Sequence, residues 1–204
     1  MSRVSVMLRE EDERRDKSVA DRVGSLDEMS DGALLAAVRA GQKEALALLF
    51  RRHRDPIYRY LYGLTKQREL AEDLLQDTFF RLWRQGERLP QDTRIAYVYR
   101  IAVNLVRDHV RRVREHPGLP PDWEHRVSRD FQPMERVADV DMVSRALATL
   151  SPEQRLTVGL HYFADQPVER VGQILGIPTG TVKTRLSRAY RQLAEVIARQ
   201  EGQR

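Results

Sequence analysis

The chain has 204 residues, a formal net charge of +5 from 35 basic and 30 acidic side chains, and no cysteine. Without a thiol, disulfides, thiolate metal sites and cysteine nucleophiles are excluded. No apolar run approaches the roughly 18–20 residues that cross a bilayer, and the first residues lack the apolar core of a secretory signal.

Residues 1–29 are polar and charge-mixed, with Glu10-Glu11-Asp12-Glu13 running into Arg14-Arg15-Asp16-Lys17. They have little to bury, so a mobile tail is expected. From Ser30 the pattern turns helical. Ser30 or Asp31 can cap the apolar run Leu34-Leu35-Ala36-Ala37-Val38, and Gly41 ends it. A second helix is predicted over about 43–64, with a bend expected at Pro56. Helices follow over about 69–84 and 95–114, separated by the turn-rich Gln85-Gly86-Glu87-Arg88-Leu89-Pro90.

The helix over 69–84 sorts into two arcs. Ala71, Leu74, Leu75, Thr78 and Leu82 face inward, while Asp73, Gln76, Asp77 and Phe80 face out. Carboxylates repel DNA, and an apolar ring among them suits a protein partner. The helix over 95–114 carries the opposite sign. Val98, Ile101, Ala102, Leu105, His109 and Val113 fall on its inward side, and Arg100, Asn104, Arg107, Arg111 and Arg114 form an outward stripe at spacings of 4, 3, 4 and 3. Tyr97 projects near Asn104, and Tyr99 flanks the stripe. Five arginines against one aspartate between Arg100 and Arg114 suit a nucleic-acid backbone, and the aromatic and amide suit unpaired bases.

Pro117, Gly118, Pro120, Pro121 and Pro133 interrupt the helical period, so residues 116–133 are expected to form a tether. A second helical unit is predicted over 134–199. Ser151-Pro152-Glu153-Gln154 combines an N-cap, a proline at the first helical position and a capping-box glutamine, and the helix it starts is predicted to run to about Phe163. A short helix, Val168–Leu175, is closed by Gly176 and Pro178. Thr179 is then expected to cap a long helix to about Ala198. Short helix, glycine turn and long basic helix form a helix-turn-helix. In the last helix Val182, Leu186, Ala189 and Leu193 share the inward side. Lys183, Thr184, Ser187 and Arg188 lie opposite, positioned to donate to base edges in a major groove. Four basic residues and no acidic one lie between Thr179 and Arg191. The fold expected is all-α, two small helical domains on a flexible Pro-rich linker.

Three stretches together resemble the extracytoplasmic-function sigma factors of bacterial RNA polymerase. The segment from Ala71 to Trp83 is similar to their region 2.2, Tyr97 to Asp108 to region 2.4, and Thr179 to Ala189 to the recognition helix of region 4.2. Tyr97 stands where the family often has tryptophan, and Ser187 where relatives can carry a larger side chain.

The resemblance implies a region 2 bundle over 30–115 and a region 4 helix-turn-helix over 134–199. It implies that Asp73, Gln76, Asp77 and Phe80 dock on core polymerase, at the β′ clamp, with further contact to β. Tyr97, Arg100, Asn104, Arg107 and Arg111 would read the minus-ten element, with residues 85–94 helping to pocket a flipped base. Thr179, Thr181, Lys183, Thr184, Arg185, Ser187 and Arg188 would read the minus-thirty-five element. It further implies an anti-sigma partner, while the residues themselves, with no spanning apolar run and with scattered histidines and carboxylates, lead to the expectation of a cytoplasmic setting, no membrane insertion, no cofactor, no metal and no catalytic activity. Two other readings remain open from the residues alone. A conventional regulator would bind duplex operators without polymerase, and a protein-interaction adaptor would leave no footprint on DNA.

Overall fold

The computed structural model describes residues 28–115 and 146–201, and these are helical with no strand among them. The expected tether, most of the expected tail and the first part of the second domain lie outside the described residues. In chain order the helices are α1 (Asp31–Arg39), α2 (Lys43–Thr65), α3 (Arg68–Arg84), α4 (Ala96–Glu115), α5 (Pro152–Val158), α6 (Val168–Leu175) and α7 (Thr179–Glu201). A single 3-10 turn, Gly86–Arg88, lies between α3 and α4.

The described residues fall into two compact units. The first takes 28–52 and 83–95. Here the Ser30 side chain accepts from the Ala33 N–H and caps α1, as its place before an apolar run requires. Arg52 ties the entry of α1 down, donating to the Met29 carbonyl at 2.7 Å and to Asp31 at 3.2 Å. Leu34, Leu35, Ala37 and Val38 of α1 are buried, as are Ala45, Leu48 and Leu49 at the start of α2.

The second unit takes 53–82, 96–115 and 146–201. The boundary cuts α2 one turn before Pro56, whose ring lacks the N–H that would bond the Arg52 carbonyl; α2 nonetheless runs through it as one helix. Ile57, Tyr60 and Leu61 of α2, Leu70, Ala71, Leu74 and Leu82 of α3, and Val98, Ala102 and Leu105 of α4 are buried. The capping box forms as its sequence predicts: the Gln154 N–H donates to the Ser151 hydroxyl at 3.2 Å, and the Ser151 N–H to the Gln154 side chain at 2.9 Å.

The helix that follows does not stay α to Phe163. It widens at Gly159–Phe163 into a π turn, and Asp165, with φ +51°, reverses the chain. α5 and α6 both pack on α7, burying Leu156, Val158, Leu160, Val171, Ile174, Val182, Leu186 and Ala189. The turn between α6 and α7 depends on two glycines. Gly176 takes the left-handed conformation that ends α6, and a Cβ on Gly172 would lie 2.9 Å from the Ile177 carbonyl oxygen. α7 begins one residue earlier than expected. The Thr181 and Val182 N–H groups both bond the Pro178 carbonyl, so Pro178 holds the cap position and Thr179 lies in the first turn.

Candidate nucleic-acid and polymerase interfaces

α7 presents two chemically opposite faces. Val182, Leu186 and Ala189 are buried, and Lys183, Thr184, Ser187 and Arg188 are exposed. Thr179, Thr181 and Arg185 sit at the margins, half-buried. The Thr184 hydroxyl donates to the Gly180 carbonyl at 2.9 Å, which spends its proton within the helix. Thr184 therefore offers a partner an acceptor and a methyl group, while Lys183, Ser187 and Arg188 supply donors. The first turn adds backbone N–H groups with no carbonyl of the helix in reach, an arrangement suited to a phosphate.

On α4 the stripe emerges with one important complication. Arg100, Asn104, Arg107 and Arg111 are exposed and Tyr97 is half-buried, while Val98, Ile101, Ala102, Leu105 and also Val103 and Val106 face the interior. The exposed Arg100 is also engaged within the chain. Its guanidinium donates to the carbonyls of Gln173 at 2.6 Å and Ile174 at 3.2 Å, in the last turn of α6. Arg111 is paired with Asp108 at 3.3 Å.

Two expectations on this helix are corrected. Tyr99 does not flank the stripe: it is 1% exposed, edge-on to His53 with its hydroxyl 3.3 Å from Nδ1. Val113 is not buried but 54% exposed. The side chains described over residues 110–115 are all exposed, so the apolar period outlasts its packing partners. His109 is half-buried, and its pKa is pushed down first by burial and then by Arg112. Beside the stripe lies a cleft of about 370 Å³ whose walls include Leu64, Val106, Arg107, Val110, Pro152 and Leu156.

The third face is on α3. Ala71, Leu74, Leu75, Thr78 and Leu82 are buried as their spacing predicts, Thr78 donating to the Leu74 carbonyl at 2.7 Å. Asp73, Gln76 and Asp77 are half-buried, and Phe80 stands 47% exposed at the end of the same arc. Burial, followed by the carboxylates of Asp77, Glu72 and Glu69, raises the Asp73 pKa to about 6. Glu72 is held by Arg68 at 3.0 Å. Such a face suits a basic protein partner carrying an apolar notch for the ring. Among the described residues no group of three or more metal-ligating side chains could hold an ion, and no helix is long and apolar enough to cross a membrane.

Sequence reasoning missed the residues that join α2 to the π turn. Phe163 lies over Gly63, Tyr60 packs beneath Gly159, and Arg59 pairs with Asp165 at 2.6 Å. Their partners are about a hundred residues away, and no local pattern marks them.

Residues 49–115 match the family described as Sigma-70 region 2, and residues 141–193 match Sigma-70, region 4. The chain is 33% identical over 178 residues to the ECF RNA polymerase sigma factor SigM of Mycobacterium tuberculosis, covering 85% of this chain and 88% of that protein. It is 33% identical over 161 residues to SigE of Mycolicibacterium smegmatis, covering 76% and 62%.

Two solved structures share the fold. CnrH, in complex with the cytosolic domain of CnrY, aligns with a TM-score of 0.66 at 21% identity, covering 82% of this chain and 97% of that one. The sigma factor RpoE of Bartonella quintana, in complex with the anti-sigma factor NepR, aligns at 0.53 and 24% identity, covering 76% and 96%. This chain belongs to the extracytoplasmic-function family of RNA polymerase sigma factors, and it directs promoter-specific initiation of transcription with RNA polymerase.

Proposed function

We propose that three faces of the chain divide the work of initiation. The α3 face of Asp73, Gln76, Asp77 and Phe80 docks on the β′ clamp of core polymerase, with further contact to β. The α7 face of Thr179, Thr181, Lys183, Thr184, Arg185, Ser187 and Arg188 reads the minus-thirty-five element as duplex. The α4 stripe of Tyr97, Arg100, Asn104, Arg107 and Arg111 captures the opened non-template strand at the minus-ten element, with residues 85–94 helping to pocket a flipped base. The domain division that serves this is a tail over 1–29, region 2 over 30–115, a tether over 116–133 and region 4 over 134–199.

The observation that carries the reading is the segregation on α7: three residues buried inside the helix-turn-helix, and three donors and an acceptor exposed opposite them. The energetics suit a two-site reader. Extracting a base costs a few kcal/mol, which aromatic stacking and base contacts offset at about 1–3 kcal/mol per base. Two modest affinities on one tether combine through effective concentration, so spacing between the elements becomes part of the recognition. The chain acts without catalysis of its own and in the cytoplasm. The complexes of CnrH with CnrY and of RpoE with NepR support an anti-sigma protein as its regulator.

The test is run-off transcription by core polymerase on a promoter library, with and without this protein. Initiation should depend on the protein and map to two elements at fixed spacing. Lys183→Ala should relax the upstream element and Arg100→Ala the downstream one. Operator binding by the protein alone, with no protein-dependent initiation, would refute the division of labour.

A further inference from the structure

The cleft of about 370 Å³ beside the arginine stripe has walls of two kinds. Leu64 of α2, Val106 and Val110 of α4, and Pro152 and Leu156 of α5 make an apolar lining. Val110 is 46% exposed, so part of that lining is apolar surface the core leaves uncovered. Around it stand three guanidiniums, those of Arg107, Arg111 and Arg155, against the single carboxylate of Glu115. Small-molecule sites are commonly about 300–1,000 Å³, mostly apolar, with a few polar groups that fix orientation. The cleft meets each of these requirements.

The three guanidiniums are not equivalent. Arg155 is spent on the chain itself, donating to the carbonyl of Leu147 at 3.0 Å and to those of Ala148 and Leu150 at 3.1 Å. Arg111 is paired with Asp108 at 3.3 Å. Arg107 is exposed and makes no hydrogen bond or ion pair among the described residues. Its charge reaches the Tyr60 hydroxyl, but burial pushes the pKa of that group far up. The hydroxyl therefore stays neutral, buried with no hydrogen-bond partner among the described residues, and does not offset the cation. One unneutralised guanidinium thus borders an apolar cleft, while a second anionic group would meet Glu115 and two arginines already engaged.

We propose that this cleft binds a small monocarboxylic acid, its carboxylate held by Arg107 and its apolar body laid on Leu64, Val106, Val110, Pro152 and Leu156. A carboxylate accepts two parallel N–H bonds from one guanidinium, and the pair is stronger beside walls that exclude water than in open solvent. The body contributes in proportion to the area it covers, so affinity rises with each methylene until the cleft is full. An alcohol of the same length lacks the charge, and an amine carries the wrong one.

The probe is octanoate, titrated by calorimetry into the full-length protein without polymerase, well below the concentration at which the acid forms micelles. Binding should saturate at one per chain. From butanoate through hexanoate to octanoate, each methylene should tighten the Kd by up to about four-fold. 1-Octanol should bind at least ten-fold more weakly than octanoate, and octylammonium should give no saturable heat.

Two variants place the ligand. Arg107→Gln should weaken octanoate at least ten-fold while leaving 1-octanol within two-fold, and Arg107→Lys should recover part of the loss. Val110→Trp, at a position already half in solvent, should fill the cleft and abolish binding of both, with the circular dichroism spectrum unchanged. Three results would each overturn the site: no saturable binding of octanoate, an affinity that does not grow with chain length, or a Kd unmoved by either Arg107→Gln or Val110→Trp. None of these readouts involves polymerase or DNA, so their failure would leave the three-face reading of initiation standing.

Discussion

Phe80→Ala offers the most direct test of the polymerase-facing surface, because its two effects separate. Phe80 is 47% exposed, and a phenylalanine buries on the order of 200 Å² when fully covered. About 90 Å² of ring therefore remains for a partner to cover. At about 25 cal/mol per Å² that is a little over 2 kcal/mol, so the Kd for core polymerase should rise roughly forty-fold. The covered half of the ring contributes to the fold and not to docking, and its loss should cost about 1–2 kcal/mol of stability. The two are measured apart: titration calorimetry against core enzyme gives the affinity, and thermal unfolding by circular dichroism gives the stability. Phe80→Leu keeps most of the apolar area and should recover part of the affinity. A Kd within two-fold of wild type, with Tm lowered as expected, would place Phe80 outside the interface and refute the argument from its exposure.

Lys183→Ala should weaken promoter binding by the holoenzyme and, where the ammonium meets a phosphate, reduce the slope of log K against log salt by about 1; an unchanged slope would assign Lys183 to a base edge, and unchanged affinity to neither. The Asp73 carboxyl, raised to about 6 from an unfolded value near 3.8, is protonated more readily in the folded state. The stability it contributes is present below about pH 4 and lost as pH rises through about 6. Asp73→Asn should therefore gain Tm relative to wild type over that window, and a difference that does not vary with pH would show that burial and the neighbouring carboxylates do not raise the Asp73 pKa. Ser151→Ala removes the hydroxyl that accepts from the Gln154 N–H while keeping the backbone N–H that donates to the Gln154 side chain, and should cost about 1 kcal/mol, seen as a Tm lower by about 4–8 °C for a domain of this size; a shift under one degree would mean that other contacts fix the start of α5.

The faces of α3 and α7 were legible in the sequence because they rest on a period of 3.6 residues and on caps that act within a turn. Val182, Leu186 and Ala189 could only point one way once α7 was a helix, and Lys183, Ser187 and Arg188 only the other. Ser151 and Gly176 were legible for the same reason. What failed was everything set by a partner distant in the chain. Tyr99 was buried by His53, 46 residues away. Val113 kept the apolar period after its neighbours had ended. Phe163 left the α-helical register through a π turn that no composition announces.

Arg100 shows why this boundary falls where function does. Its place in an arginine stripe says that the core rejects it, and nothing more. Whether the group beyond it is a phosphate or the end of α6 is a question of tertiary packing. Residues that read DNA are found as exclusions from a local pattern, whereas their tertiary partners are found only where two segments meet. Arg100→Ala tests the first of these: it should lower downstream-element recognition by the holoenzyme, and an unchanged promoter profile would take Arg100 out of the reader.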